Sequence, residues 1–110
     1  MSGRLPLRDL PDASARRLDE LGGRPINLYR TLAAHPALLD TWMEYAWGLR
    51  RAEHTPRALR ELVILRVAQL TGAAYEWAAH VKMARAAGVD EAKISALDGW
   101  RESEIFDERE

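Results

Sequence analysis

Between Pro56 and Thr71 the chain places apolar side chains in nearly every direction around a helical wheel: Leu59, Leu62, Val63, Ile64, Leu65, Val67, Ala68 and Leu70. At about 100° per residue, this is the pattern of a helix buried on all sides. Such a segment needs neighbours around it, and the rest of the chain is equally helix-forming. Eighteen Ala and fifteen Leu stand against seven Gly and five Pro, with few consecutive β-branched residues anywhere. All five prolines lie at or before position 56, while Gly72, Gly88 and Gly99 are spaced as helix C-terminal caps. These features predict an all-α chain whose 110 residues can bury a core without metal or disulfide staples.

The punctuation places the elements. An irregular lead-in precedes a short helix over 12–21, with Asp12 as N-cap and Gly22-Gly23 as its stop. A second helix over 27–35 ends because Pro36 disfavours helical geometry in the residue before it. Pro36 opens a third helix, on which Leu38, Trp42, Tyr45, Ala46 and Leu49 form an apolar stripe that needs a partner surface. Thr55-Pro56 reads as an N-cap and first turn for the apolar helix, which a fifth helix follows over 73–87. A sixth covers 90–97, with Val89 and Ile94 placed to make a hydrophobic staple. Residues 101–110, with five acidic and two basic side chains, read as a solvated charged tail or a cut edge.

Composition excludes several functions. A net charge of −1 supplies no global field for nucleic acid or an anionic membrane, so neither is expected as a partner. The chain has no cysteine, which removes disulfides, thiolate nucleophiles, redox pairs and thiolate metal sites. No apolar run approaches the roughly 20 residues of a membrane span, and the first residues lack the pattern of a signal peptide. A cytoplasmic protein is therefore expected. Metal is not expected either, since no HExxH or comparable spacing occurs, and no cofactor motif is present.

Polar residues interrupt the apolar helix where no solvent face is available. Glu61 falls between Leu65 and Ala68 on the wheel, and Arg66 between Leu59 and Leu62. A buried charge without a partner costs several kcal/mol, so each needs one. On the next helix Glu76 and His80 stand four apart and share a face, with Trp77 and Val81 beside them. If the two helices form an antiparallel hairpin through Gly72, Glu61 approaches His80, and Glu61, Glu76 and His80, with Tyr75 nearby, make a candidate proton-transfer cluster. The plainer alternative is that Glu76 and His80 form a surface ion pair and that Glu61 and Arg66 belong to structural ion pairs. His35 reads as a helix-boundary residue, His54 as part of a solvated loop, and the four tryptophans as core.

The run Pro56-Arg57-Ala58-Leu59-Arg60-Glu61-Leu62-Val63-Ile64-Leu65-Arg66-Val67-Ala68, followed by Ala74-Tyr75-Glu76-Trp77 and His80, resembles the carboxymuconolactone decarboxylase-like family, which includes alkyl hydroperoxidase D. Asn27-Leu28-Tyr29-Arg30, His35-Pro36-Ala37-Leu38-Leu39 and Trp42 look like that family's lead-in. The resemblance covers most of residues 24–100, read as one helical domain between a lead-in over 1–23 and the charged tail. It implies a homo-oligomer, built on trimers or hexamers, with a central buried helix followed by the helix that carries the histidine. In the hydroperoxidase branch a Cys-x-x-Cys pair falls on Ala73 and Glu76, the histidine on His80 and a glutamate on Glu61. Both thiols are replaced here, so thiol peroxidase chemistry does not carry over. What remains, Glu61, Tyr75, Glu76 and His80, is acid/base equipment closer in kind to the decarboxylase branch, and by that resemblance Arg66 or Arg57, with Trp77, would bind the substrate and hold its carboxylate. The expected activity is decarboxylation or isomerisation of a small organic acid or lactone, a lyase reaction if the protein is an enzyme. The competing expectation is a non-catalytic oligomeric scaffold or ligand-binding protein.

Overall fold

The computed structural model describes residues 4–52 and 54–110, so the first three residues of the expected lead-in lie outside it. The described chain is all-helical: α1 (Asp12–Glu20), α2 (Asn27–Leu32), α3 (Pro36–Arg51), α4 (Arg57–Thr71), α5 (Ala74–Ala86) and α6 (Glu91–Ala96), followed by a 3₁₀ turn over Leu97–Glu102. No helix among the described residues is long and apolar enough to cross a membrane. The helices form two compact units, residues 1–51 and 52–110.

In the first unit α1 and α2 each pack on α3 around Leu18, Tyr29, Ala33, Leu39 and Met43. Two long-range hydrogen bonds set the rotation of α3. The Ser14 hydroxyl donates to Asp40 Oδ1 at 2.7 Å, and the Trp47 indole N–H donates to the Leu21 carbonyl at 2.9 Å. They turn Leu39, Met43 and Trp47 inward and leave Leu38, Tyr45 and Leu49 exposed. Of the expected stripe, Trp42 packs against this core and Ala46 is half-buried, while Leu39, Met43 and Trp47 take the inward places expected of Leu38, Tyr45 and Leu49. Both stripes have helical period, and the partners on α1 and after it choose between them. His35 does mark a helix boundary: α2 stops at Leu32, and His35 Nδ1 accepts the Leu38 N–H at the start of α3 at 3.2 Å.

The second unit is built on an α4–α5 hairpin. Gly72 ends α4 in the left-handed conformation (φ 64°), with its N–H on the Gln69 carbonyl and the Ala73 N–H on Ala68. This is a Schellman closure, and a side chain at that φ is strained. The two-residue link folds α5 back along α4. Gly88 (φ 87°) closes α5 in the same way and delivers Val89 to the core beside Ala84. Leu62, Leu65, Ala84, Val89, Ile94 and Leu97 form that core, with Trp77, Val81 and Phe106 packed against it. Val89 and Ile94 bracket the α6 N-terminus, where the sequence places a staple. Fully burying a side chain such as Leu65 stabilises the fold by about 1.5–3 kcal/mol.

Four local expectations change. Helix α4 is not buried all round: it packs on α5 and on the 3₁₀ turn, which cover two flanks and leave Val63, Val67 and Leu70 exposed. Thr55 does not cap α4. Pro56 takes the flanking position in an extended conformation, and the Thr55 hydroxyl turns back to the Ala52 carbonyl. Gly99 has φ −107° inside the 3₁₀ turn, because α6 passes into that turn without a left-handed residue. The charged run 101–110 is mostly exposed but anchored. Phe106 packs on the core, Lys93 Nζ donates to both oxygens of Glu110 at 2.6 and 2.7 Å, and the Arg109 guanidinium donates to the His54 carbonyl at 2.9 Å.

The Glu110 hydrogen bond holds the Lys93 ammonium above the ordinary lysine range, against the opposing effect of desolvation. A folded-state value raised in this way contributes stability below the unfolded lysine value of about 10.4. That contribution disappears as pH climbs through the higher folded value. Lys93→Met is therefore expected to lower Tm at neutral pH, and the gap to the parent chain to narrow in alkaline melts above about pH 10.4. A gap that stays constant up to pH 12 would assign the loss to packing instead.

Candidate functional site

Glu61 lies in the first half of α4 on the flank that α5 covers, and is 2% exposed. An ionised carboxylate cannot be held there without donors. Arg57, one turn earlier, donates from Nε to Oε1 at 2.7 Å. His80, brought over by the hairpin, places Nδ1 2.7 Å from Oε2. On the far side of the imidazole, Nε2 lies 3.4 Å from Glu76 Oε2, one turn back on α5. The result is a line of four groups, Arg57, Glu61, His80 and Glu76, running from a half-exposed guanidinium through a buried carboxylate to a half-exposed one.

Hydrogen-bond logic fixes the roles along this line. Both oxygens of a carboxylate are acceptors, so Nδ1 carries the hydrogen that points at Glu61. Nε2 is then the position at which a proton can be taken up or released. It bonds to Glu76 only when one of the two holds a proton. Glu76, being half exposed, has room to swing away. Among the described residues no buried side-chain nitrogen or oxygen lacks a partner, and no group of three or more His, Cys, Asp or Glu is arranged to hold a metal ion.

Of the residues singled out from sequence, the fold brings Glu61, Glu76, His80 and Arg57 together and leaves three elsewhere. Arg57 is bound to Glu61, so its Nε orients the buried carboxylate; the i, i+4 spacing of Arg57 and Glu61 is the signal that points to this pairing. Tyr75 is 77% exposed and lies about 140° round α5 from His80, as five residues at about 100° each require. Trp77 packs against the core. Arg66 lies on another flank of α4 and donates to Gln69 Oε1 at 3.0 Å.

Two concavities adjoin α4. The one that Glu76 lines has a volume of about 180 Å³, with Val63, Ile64, Val67, Thr71 and Ala73 among its walls. The other, about 410 Å³, is lined by Arg66 and by residues of the 3₁₀ turn and the tail, and includes neither Glu61 nor His80. Glu61 and His80 line neither concavity, and Glu76 is the member of the line that reaches one, the smaller.

The chain is thus all-helical over its described residues, lacks cysteine and holds a histidine between two carboxylates across a helical hairpin. Residues 36–110 match the model of the carboxymuconolactone decarboxylase family, and the chain belongs to that family. No curated protein and no solved structure matches it.

Glu61→Gln is expected to cost about 1–3 kcal/mol, since a buried acceptor is lost while neither partner is left as a sealed charge. Long-range ¹H–¹⁵N NMR of the imidazoles should show His80 protonated at Nδ1 in the parent chain and mixed tautomers in Glu61→Gln. A parent His80 protonated only at Nε2 would contradict the assignment.

Proposed function

We propose that the chain is an acid/base enzyme in which His80 moves a proton on a small carbonyl compound through Nε2. The observation that carries this reading is the buried Glu61, fixed by Arg57 on one oxygen and bound to His80 Nδ1 on the other. That arrangement holds the imidazole in one tautomer and one orientation, the usual requirement for a general base or acid, whose proton transfer contributes typically about 10²- to 10⁴-fold in rate. Glu76 at 3.4 Å from Nε2 supplies a second proton carrier between the imidazole and solvent.

Electrostatics select among the substrates that the family resemblance raises. The cavity beside Glu76 is walled mainly by apolar side chains, with Thr71 and Glu76 as its polar groups and no cation. A carboxylate there would face a carboxylate, whereas an uncharged lactone would not. The favoured reaction is therefore isomerisation of an unsaturated lactone. Nε2 removes a proton from the carbon next to the carbonyl, the electron pair spreads into the dienolate, and a proton exchanged with solvent through Glu76 returns to either end of it, delivery at the far carbon completing the shift of the double bond. No oxidant, reductant or leaving group is needed. Decarboxylation of an acid would need a cation at this cavity.

The test is proton exchange into a panel of butenolides in D₂O, followed by NMR. The full chain is expected to label the carbon next to the carbonyl, and His80→Ala to slow this by about 10²- to 10⁴-fold. Glu61→Gln should lower the rate with little change in KM, because Glu61 acts through His80. Absence of exchange above buffer across the panel, or equal rates in His80→Ala, would favour the ligand-binding or scaffold reading.

Self-association belongs to the same reading. Leu38, Tyr45 and Leu49 lie exposed along one face of α3, and an apolar stripe of this kind marks an interaction surface. A homo-oligomer is expected by light scattering, and Tyr45→Glu with Leu38→Glu should shift it toward monomer. Unchanged mass in that variant would place the contact on another face.

A further inference from the structure

The 410 Å³ groove on the far flank of α4 is a site of different chemistry. Its walls are apolar, formed by Leu62, Val67, Leu70, Leu97, Trp100 and Phe106, and two guanidiniums line it, those of Arg66 and Arg101. Arg66 donates to the neutral amide of Gln69, and Arg101 lies over the Trp100 ring at 5.3 Å from its centroid. Neither is paired with a carboxylate among the described residues. Glu110, the acidic group that lines the groove, has both oxygens engaged by Lys93 at 2.6 and 2.7 Å. The groove therefore presents two positive charges that the chain does not neutralise, against an apolar wall that includes two aromatic rings.

We infer that this groove binds an amphiphilic monocarboxylate, its head on Arg66 and Arg101 and its alkyl or aromatic body along Trp100 and Phe106. The planar guanidinium matches a carboxylate through paired N–H donors, and Arg is the side chain suited to such contacts. The apolar wall contributes by burial, in the manner of most small-molecule sites, where a few placed polar groups orient a largely apolar ligand. A second copy of the chain fits less well. In a two-fold contact the same patch meets itself, which would bring four guanidiniums together with no free carboxylate opposite; contact with a different face of another copy is an outcome of the test below. The inference stands apart from the proton-transfer reading, since the groove includes neither Glu61 nor His80.

The experiment is an NMR titration of the full ¹⁵N-labelled chain with decanoate below its micellar concentration, with decan-1-ol as the uncharged probe and decyltrimethylammonium as the cationic one. Decanoate is expected to shift the Trp100 indole signal and to bind about tenfold more tightly than decanol, the effect of one charge-assisted contact. The cation should bind more weakly than either. Arg66→Gln and Arg101→Gln, both at solvent-accessible positions, should each weaken decanoate by about 3- to 30-fold and leave decanol within about twofold. Equal binding of decanoate and decanol, shifts confined to Trp42 and Trp47, or decanoate affinity unchanged in both variants would overturn the inference. So would loss of the Trp100 response on raising protein concentration alone, which would show a second copy in the groove.

Discussion

A carboxylate sealed in a helical hairpin is the constraint around which the second unit is arranged. Glu61 has almost no contact with water, and removing an ion from water costs several kcal/mol unless donors replace the solvent. Arg57 meets part of that need from the same helix. The other part has to come from α5, so the turn at Gly72 must bring His80 to 2.7 Å. The left-handed glycine, the two-residue link and the inward packing of Trp77, Val81 and Ala84 all serve to hold the imidazole at that distance. The polar demand of one side chain thus sets how α5 lies on α4, and the apolar core follows the same register.

Helix α4 then divides its surroundings. One flank carries the Glu61–His80 contact, the other faces the groove with Arg66, and Val63 and Val67 lie between them, lining both concavities. The separation has a chemical consequence. Glu76 lines the smaller cavity, while Arg66 and Arg101, neither of them paired with a carboxylate among the described residues, line the larger one, so the two concavities carry opposite charge on different sides of the same helix. Glu76 also occupies the position where the resemblance puts the second thiol of the hydroperoxidase branch. A carboxylate there exchanges protons but cannot exchange electrons, in keeping with a chain that has no cysteine.

Much of this was legible in the sequence. Apolar periodicity and the distribution of Pro and Gly identified the helices, and Gly72 and Gly88 marked two of their ends. Glu61 stood out because it had no solvent face on the wheel of its own helix, and His80 because a hairpin would carry it there. Other features were hidden. The averaged charge of residues 101–110 concealed Phe106, one aromatic side chain that is enough to dock the segment on the core. The stripe on α3 kept Trp42 at the core but lost Leu38, Tyr45 and Leu49 to the surface, because a helix with several apolar positions admits more than one regular face. Tyr75 lay close to Glu76 in sequence but is turned away by its position on the helix, since i and i+1 do not share a side.

The sequence alone determined the helical class, the exclusion of thiol chemistry and the need for Glu61 to find donors, because these follow from residue types and from spacing within single helices. Tertiary structure decided which donors it found, which flank of α4 met α5 and which stayed open, and that Arg66 lines a groove apart from His80. Those outcomes depend on the rotation of one helix against another. Rotation is set by distant pairs such as Ser14 with Asp40 and Glu61 with His80, and no local pattern along the chain encodes it.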